Sequence, residues 1–247
     1  MPAERAAFIA IVISVTVIIG LSKGGLGGIL GTLATPLMAL VVPADQAIGL
    51  LLPILIVADL FAVLLHWRKW NNRLALLLLP GAIVGVTIGT LFITNAPTDL
   101  LKKGMGVIAL LFAVYKLYED RILGSLRYEP RDWHGLLAGT SAGFGSALAH
   151  TGGPPVSIYL LLQRVTPAIF IATSAIFFAV LNWIKVPYYL YADLLTWQRF
   201  LQIAWVLPLI PFAVWLGRWM SRRINRETFE KVIVLLLALS GILLIVT

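Results

Sequence analysis

Two stretches decide the fold, because in each of them a pair of glycines interrupts an apolar run. They read Gly20-Leu21-Ser22-Lys23-Gly24-Gly25-Leu26-Gly27-Gly28 and Ala149-His150-Thr151-Gly152-Gly153-Pro154-Pro155. The apolar segments that begin there are 26–42, which is marginal in length, and 153–163, which is too short to cross a bilayer of about 30 Å at about 1.5 Å per residue. Both segments are therefore predicted to be half-helices, each of which begins within the membrane where a glycine pair interrupts the helix.

The composition around these stretches is typical of an integral membrane protein. Of the 247 residues, 60% are hydrophobic and only 12% are charged. A soluble domain has about 45–50% apolar and about 25% charged residues, so the composition argues against a soluble enzyme or a nucleic-acid binder. The net charge of +8 is attributed to basic cytoplasmic loops, not to contact with nucleic acid. The chain contains no cysteine, which excludes disulfides and thiolate metal sites.

Eight further apolar segments are long enough to be membrane spans. They are residues 6–22, 46–66, 74–95, 100–118, 133–149, 168–190, 197–218 and 228–247. With the two re-entrant half-helices, they predict an all-α integral membrane protein that crosses a cell membrane eight times. No cleavage signal follows the first apolar segment, so we interpret it as a retained helix and not as a signal peptide.

The two halves of the chain are related by an offset of about 128 residues. This offset takes Lys23-Gly24-Gly25 to Thr151-Gly152-Gly153, Pro80 to Pro208, Gly89 to Gly217 and Lys103 to Lys231. The repeats are residues 1–118 and 133–247, and a cytoplasmic linker, 119–132, joins them. A duplicated half of this kind is typical of transporters.

The distribution of lysine and arginine predicts the orientation of the spans. Most basic residues fall on one side if the 66–73 turn, the linker and the basic region 218–231 are cytoplasmic. Alternating crossings allow this arrangement only if both half-helices return to the side from which they entered. The halves are then inverted relative to each other, and both termini are predicted to be extracytoplasmic.

Lys23 and His150 are the strongest candidates for binding an anion. Each lies where a half-helix begins, beside backbone N–H groups that have no partner inside the helix. The predicted binding residues at the two tips are Ser22, Lys23, Gly24 and Gly25 in the first half and His150, Thr151, Gly152 and Gly153 in the second. The alternatives are a lysine that snorkels to the interface and a histidine with a structural role. Lys23 and His150 occupy equivalent positions in the two halves, which favours one shared anion pocket near the membrane midplane.

Asp59 lies inside an apolar span, and Asn182, followed by Lys185, occupies the equivalent region of the second half. Ionisable groups within a membrane are costly and are therefore candidates for function. Asn182 and Lys185 are candidate substrate contacts, and Asp59 is a candidate for coupling transport to a proton or a cation. The alternative for Asp59 and Asn182 is a structural role, such as a hydrogen bond between helices or a contact to a lysine or histidine.

One further motif resembles a catalytic site. Gly139-Thr140-Ser141-Ala142-Gly143 matches the serine-hydrolase pattern G-x-S-x-G. On one helix, however, Ser141 and His150 would lie about 180° apart and could not form a hydrogen bond. We interpret the small residues as a surface for close helix packing. No catalytic residue, metal site or cofactor is predicted.

The two paired-glycine stretches resemble those of the TauE/SafE sulfite-exporter family of membrane permeases. The resemblance extends to Ile158-Tyr159-Leu160-Leu161 and to Phe177-Phe178 with Asn182, Lys185, Pro187 and Tyr188. It covers nearly the whole chain, and the sequence is similar to the subset of members with Ser-Lys-Gly-Gly in the first half. The resemblance implies a bacterial-type plasma-membrane carrier of sulfite, sulfonates or related small anions, often directed outward.

The sequence leaves three functions open. The first is a secondary transporter, and specifically an exporter of small anions that works by alternating access. The second is a passive anion channel built on the same inverted half-helix plan, and the third is a membrane-embedded enzyme. The expected partners are a small anionic substrate and the lipid bilayer, without nucleic acid, and the sequence does not indicate an oligomer. The identity of the anion, the direction of transport and the coupling ion stay open.

Overall fold

The computed structural model describes residues 2–26, 28–125, 131–221, 223 and 226–246, and all regular structure within these ranges is helical. The elements are α1 (Pro2–Leu21), a π-helical turn (Ser22–Leu26), α2 (Gly28–Thr32), α3 (Ala34–Met38), α4 (Ala44–Leu65), α5 (Asn72–Asn95), α6 (Thr98–Ser125), α7 (Asp132–Ala149), α8 (Gly153–Leu162), α9 (Pro167–Tyr191), α10 (Trp197–Ala204), α11 (Leu209–Met220) and α12 (Arg226–Val246). Gly27, residues 126–130 of the predicted linker and Thr247 lie outside the described residues.

Within the described residues, four helical segments are long and apolar enough to cross a membrane. They are Arg5–Gly25, which joins α1 to the π-helical turn, and helices α4, α5 and α9. The bent pair of α10 and α11 adds a fifth if it forms one span. The all-α fold with apolar spans agrees with the sequence analysis, whereas the count of eight spans and two re-entrant half-helices stays a prediction.

Two predicted segments are each broken into two helices. Segment 197–218 contains α10 and α11, which are bent by 58° relative to each other, and segment 26–42 contains α2 and α3. In both cases the first helix ends four residues before a proline, at Ala204 before Pro208 and at Thr32 before Pro36. A proline cannot donate to the carbonyl four residues earlier, and its ring clashes with that carbonyl. The predicted segments 26–42 and 197–218 therefore each contain a break near a proline, and their roles as a half-helix and a span stay predictions.

Helices α5 and α7 pack closely through glycines on both surfaces. A Cβ atom built on any of four glycines would lie only 2.0–2.2 Å from a backbone oxygen of the opposite helix. These glycines are Gly81, Gly85, Gly139 and Gly143. Small residues spaced four apart allow helix backbones to approach in this way. The interpretation of the G-x-S-x-G segment as a packing surface is confirmed.

The remaining long helices also associate in pairs. Helix α1 packs against α11, α6 packs against α12, and α4 packs against α9. Under the 128-residue correspondence, α1 is equivalent to α7 and α11 to α5, so the α1–α11 and α7–α5 pairs are equivalent. Helices α4 and α6 each pack against their own equivalent in the other half. This pairing brings together α4, which carries Asp59, and α9, which carries Asn182 and Lys185, inside the bundle.

Candidate functional site

Helix α9 presents a polar stripe to the interior of the bundle. Phe178, Asn182, Lys185 and Tyr189 follow one another at intervals of four, three and four residues and therefore share one helix face. Asn182, Lys185 and Tyr189 are buried. The stripe joins two groups of polar side chains, which we call the carboxylate cluster (Lys23, Asp59, Asn182) and the histidine cluster (Ser146, His150, Lys185).

The carboxylate cluster is a hydrogen-bonded ion pair. Lys23, in the π-helical turn, is paired with one carboxylate oxygen of Asp59 on α4. The side-chain amide of Asn182 donates to the other oxygen at 2.5 Å. The Asp59 side chain is 1% exposed and that of Lys23 is 19% exposed, so Lys23 is the member of the pair that a ligand can reach. The Lys23 Nζ atom also lies 5.1 Å from the centre of the Phe178 ring, which suits a cation.

The histidine cluster surrounds the buried amino group of Lys185. Its Nζ atom lies 3.3 Å from the Ser146 carbonyl oxygen, 3.0 Å from Ser146 Oγ and 2.8 Å from His150 Nδ1. Three neighbouring acceptors match the three N–H groups of an ammonium. Ser146 belongs to the last turn of α7, where the partial negative charge of the helix C-terminus also stabilises a cation. The Lys185 amino group is therefore fixed by three polar contacts at the end of α7.

His150 has both ring nitrogens engaged. Its Nε2 atom lies 3.0 Å from the backbone oxygen of Ile48 on α4. A carbonyl oxygen can only accept, so Nε2 carries the hydrogen and Nδ1 accepts from Lys185. The ring is therefore neutral in this arrangement and holds Lys185 in place. A direct contact between His150 and the substrate stays a prediction.

The carbonyl groups at the end of α7 are bound by side chains from two other elements. Lys185 and Tyr189 on α9 donate to the carbonyls of Ser146 and Ala147, the latter at 2.8 Å. Thr35 on α3 donates to the carbonyl of Ala149 at 2.7 Å. The segment after the first glycine pair, at Thr35, therefore contacts the segment just before the second glycine pair, at Ala149. These contacts were not predicted from the sequence, although the spacing of the polar stripe on α9 would have identified Tyr189.

The four predicted tip glycines have different environments. A Cβ atom on Gly24 would lie 2.2 Å from a backbone oxygen of α11, and one on Gly152 would lie 2.6 Å from a backbone oxygen of α7. Both residues are glycine because helices approach them closely. Gly25 has a φ angle of 130°, which favours glycine. A Cβ atom on Gly153 would meet no atom within 4 Å, so Gly153 is the tip glycine that faces open space.

Ser22 and Thr151 have packing and capping contacts. Ser22 is buried, and its Oγ atom lies 3.0 Å from the position that a Cβ atom on Gly31 would take. Thr151 donates to the backbone oxygen of Gly145 through both its N–H and its hydroxyl, each at 3.2 Å. The side chain of Thr151 therefore closes the end of α7. Of the predicted residues, the structure joins Lys23 with Asp59 and Asn182, and Lys185 with His150.

Comparison with protein-family models identifies one family. The model described as sulfite exporter TauE/SafE matches residues 12–244, a range that contains both glycine pairs and both polar clusters. No curated protein and no solved structure matches the chain significantly. The family assigned from the glycine motifs is confirmed over nearly the whole length of the chain.

Proposed function

The chain belongs to the sulfite exporter TauE/SafE family, and from this premise we propose that it is a secondary transporter that exports sulfite or a small organosulfonate. The observation that carries the proposal is the meeting of the two interrupted segments at two lysine side chains, of which Lys185 is fully buried and Lys23 is partly exposed. Lys23 directly precedes the first glycine pair, Lys185 is hydrogen-bonded to His150 beside the second, and both lysines lie along α9. A cation held in an apolar bundle is a natural contact for an anionic substrate.

The open space at Gly153 supports a binding position at the start of α8. The first residues of a helix have N–H groups without intrahelical acceptors, and the helix dipole favours negative charge there. Pro154 and Pro155 have no N–H, so the N–H groups of Gly152 and Gly153 are the donors offered by this tip. An oxyanion placed there would accept from these two backbone N–H groups.

The helix pairing supports alternating access between two inverted halves. Asp59 on α4 and Asn182 on α9 are equivalent positions of the proposed repeats, and they are bonded to each other. The proposed substrate site therefore lies where the two halves meet, as in transporters whose halves move against each other around a fixed site. Both termini are proposed to be extracytoplasmic on the basis of the lysine and arginine distribution.

A catalytic function receives no support from the described residues. Ser141 and His134 line one shallow groove between α7 and α8. They are separated by two helical turns, which corresponds to about 10 Å along the axis and is too far for a hydrogen bond. The G-x-S-x-G segment therefore lacks a base at the distance that a serine nucleophile needs.

Counterflow in proteoliposomes tests the proposed function. Vesicles that contain the purified protein are preloaded with unlabelled sulfite, and labelled sulfite is added outside. A carrier gives a transient accumulation of label above equilibrium, whereas a passive channel gives only a monotonic approach to equilibrium. The expected result is an overshoot that protein-free vesicles lack and that Lys23→Ala reduces. Transport without an overshoot would support the channel, and no transport of sulfite or of any sulfonate tested would refute the proposal.

A further inference from the structure

We infer that Phe178 limits the size of the group attached to the sulfur of the substrate, so that sulfite and short-chain sulfonates bind in preference to longer sulfonates. The inference rests on the proposed function, because it concerns the space beside the proposed anion position. It starts from the Phe178 ring, which contacts both interrupted segments. It goes further than the family assignment by naming a residue that selects among sulfur oxyanions and the property that it selects.

The Phe178 ring is in contact with both tips. At the first tip, the Lys23 Nζ atom lies 5.1 Å from the centre of the ring, within the distance of a cation–π interaction. At the second tip, the ring atom Cε1 lies 3.2 Å from the position that a Cβ atom on Gly152 would take. Glycine at position 152 therefore leaves the space that the ring uses. Because one ring reaches both tips, little more than an aromatic side chain separates Lys23 from the start of α8.

The ring is held in place by its own helix and by a second aromatic side chain. Phe178 lies one turn before Asn182 on α9, and Asn182 donates to the carboxylate that pairs with Lys23. The neighbouring Phe177 is fully buried, and the centres of the two phenylalanine rings are 5.1 Å apart in an edge-to-face contact. Phe178 itself is only partly buried. Phe177 therefore belongs to the core, whereas Phe178 keeps part of its surface for a ligand.

This arrangement places an apolar wall beside the proposed anion position. A sulfur oxyanion that accepts from the N–H groups of Gly152 and Gly153 would lie next to the ring, because the ring contacts Gly152. In sulfite the sulfur is bonded to oxygen atoms alone, whereas in a sulfonate it also carries a carbon group. This group needs room beside a ring that is packed against its neighbours, and forcing extra volume into packed surroundings is unfavourable. The expected effect on binding is therefore steric and increases with the length of the carbon group.

Binding of linear alkanesulfonates to the purified full-length protein tests the inference. Methane-, ethane-, propane- and butanesulfonate have the same charge and differ only in chain length, and titration calorimetry gives their affinities beside that of sulfite. Wild type should bind methanesulfonate more tightly than butanesulfonate. Phe178→Ala should raise the affinity for butanesulfonate relative to methanesulfonate by about tenfold or more, because each newly buried methylene contributes a factor of about four.

Two further variants complete the test. Phe178→Trp enlarges the ring and should lower the ratio of butanesulfonate to methanesulfonate affinity. Phe212→Ala removes a ring that is 58% exposed on the outside of the bundle and should leave the ratio unchanged. Loss of the cation–π contact with Lys23 would change all the affinities alike, so the ratio within each variant reports on the space around the carbon chain. Monodisperse elution identifies the variants that remain folded.

The outcomes separate this inference from the proposed function. Equal binding of all the sulfonates by wild type, or a wild-type or lower ratio in folded Phe178→Ala, overturns the size limit and leaves an anion transporter in place. If wild type binds sulfite but no sulfonate, Phe178→Ala must gain methanesulfonate binding for the inference to stand. Binding of neither sulfite nor any sulfonate refutes the proposed function itself. Phe178→Trp and the series in wild type decide the question if Phe178→Ala does not fold.

Discussion

Truncation of Lys23 can distinguish a structural ion pair from an anion-binding residue. Lys23→Ala removes the cation beside Asp59, whose side chain is 1% exposed. Removing one partner of a buried pair costs about 3–5 kcal/mol, because a buried charge is left uncompensated. Lys23 is 19% exposed and Asn182 still donates to Asp59. We therefore expect Lys23→Ala to lower the free energy of unfolding by about 3 kcal/mol, at the lower end of that range. At about 2–4 °C per kcal/mol, this lowers Tm by roughly 6–12 °C.

Adding Asp59→Asn to Lys23→Ala separates the effect on stability from the effect on anion binding. In Lys23→Ala/Asp59→Asn the uncompensated carboxylate is gone, so most of the lost stability should return. Anion affinity should stay low, because a charge-assisted contact is worth about 1.5–3 kcal/mol, which is roughly 10- to 150-fold. Lys185 is unchanged in this variant, so the remaining loss of affinity reports on the direct contact with Lys23.

Thermal unfolding and calorimetric sulfite binding of detergent-purified, monodisperse protein measure the two effects. Lys103→Ala is the control, since Lys103 pairs with Asp99 at the surface, where the side chains are 50% and 68% exposed, and such pairs contribute little. Wild-type affinity in the stable double variant would refute the reasoning and assign Lys23 to the structural ion pair alone.

Two further predictions concern the tips and the topology. Gly24→Ala should destabilise the protein by about 1–3 kcal/mol, because its Cβ atom would lie 2.2 Å from an α11 backbone oxygen, whereas Gly153→Ala meets no atom within 4 Å and should leave Tm nearly unchanged. Gly153→Val should lower sulfite affinity without lowering Tm, and equal Tm values for the two alanine variants would contradict this packing assignment. Reporters fused after Asp120 and Ser221 should report the cytoplasm, and one fused after Thr247 should report the outside. If the reporters after Ser221 and Thr247 report the same side, the inverted topology is wrong.

Much of the helical framework follows from the sequence, because long apolar runs with polar ends determine both the length and the limits of a span. The predicted segment 46–66 corresponds to Ala44–Leu65 in the structure. The breaks before Pro36 and Pro208 were not predicted. Proline alone does not predict them, since Pro53 and Pro80 lie inside continuous helices. Whether a proline breaks a helix depends on the tertiary packing around it, which one sequence does not contain.

The sequence identifies the polar residues of the site but not their partners. Asn182 was predicted to contact substrate and Asp59 to couple transport, whereas in the structure the two side chains bind each other. Both predicted roles stay untested, and the contact also supports the structural alternative. The paired glycines look equivalent in sequence, yet Gly24 packs against a helix and Gly153 faces open space. These differences arise from which helix faces meet, and that depends on the three-dimensional arrangement of distant segments.

The complete burial of Lys185 is the strongest physical argument for function. Lys23 and Asp59 could be retained as a structural pair, because each compensates the other. Lys185 is fully buried and has only neutral groups in hydrogen-bond contact. Buried charges are costly, and apolar residues of similar volume often give equal or greater stability. A bundle that required only stability would therefore gain little from burying Lys185, whereas a carrier gains a polar contact for an anionic substrate.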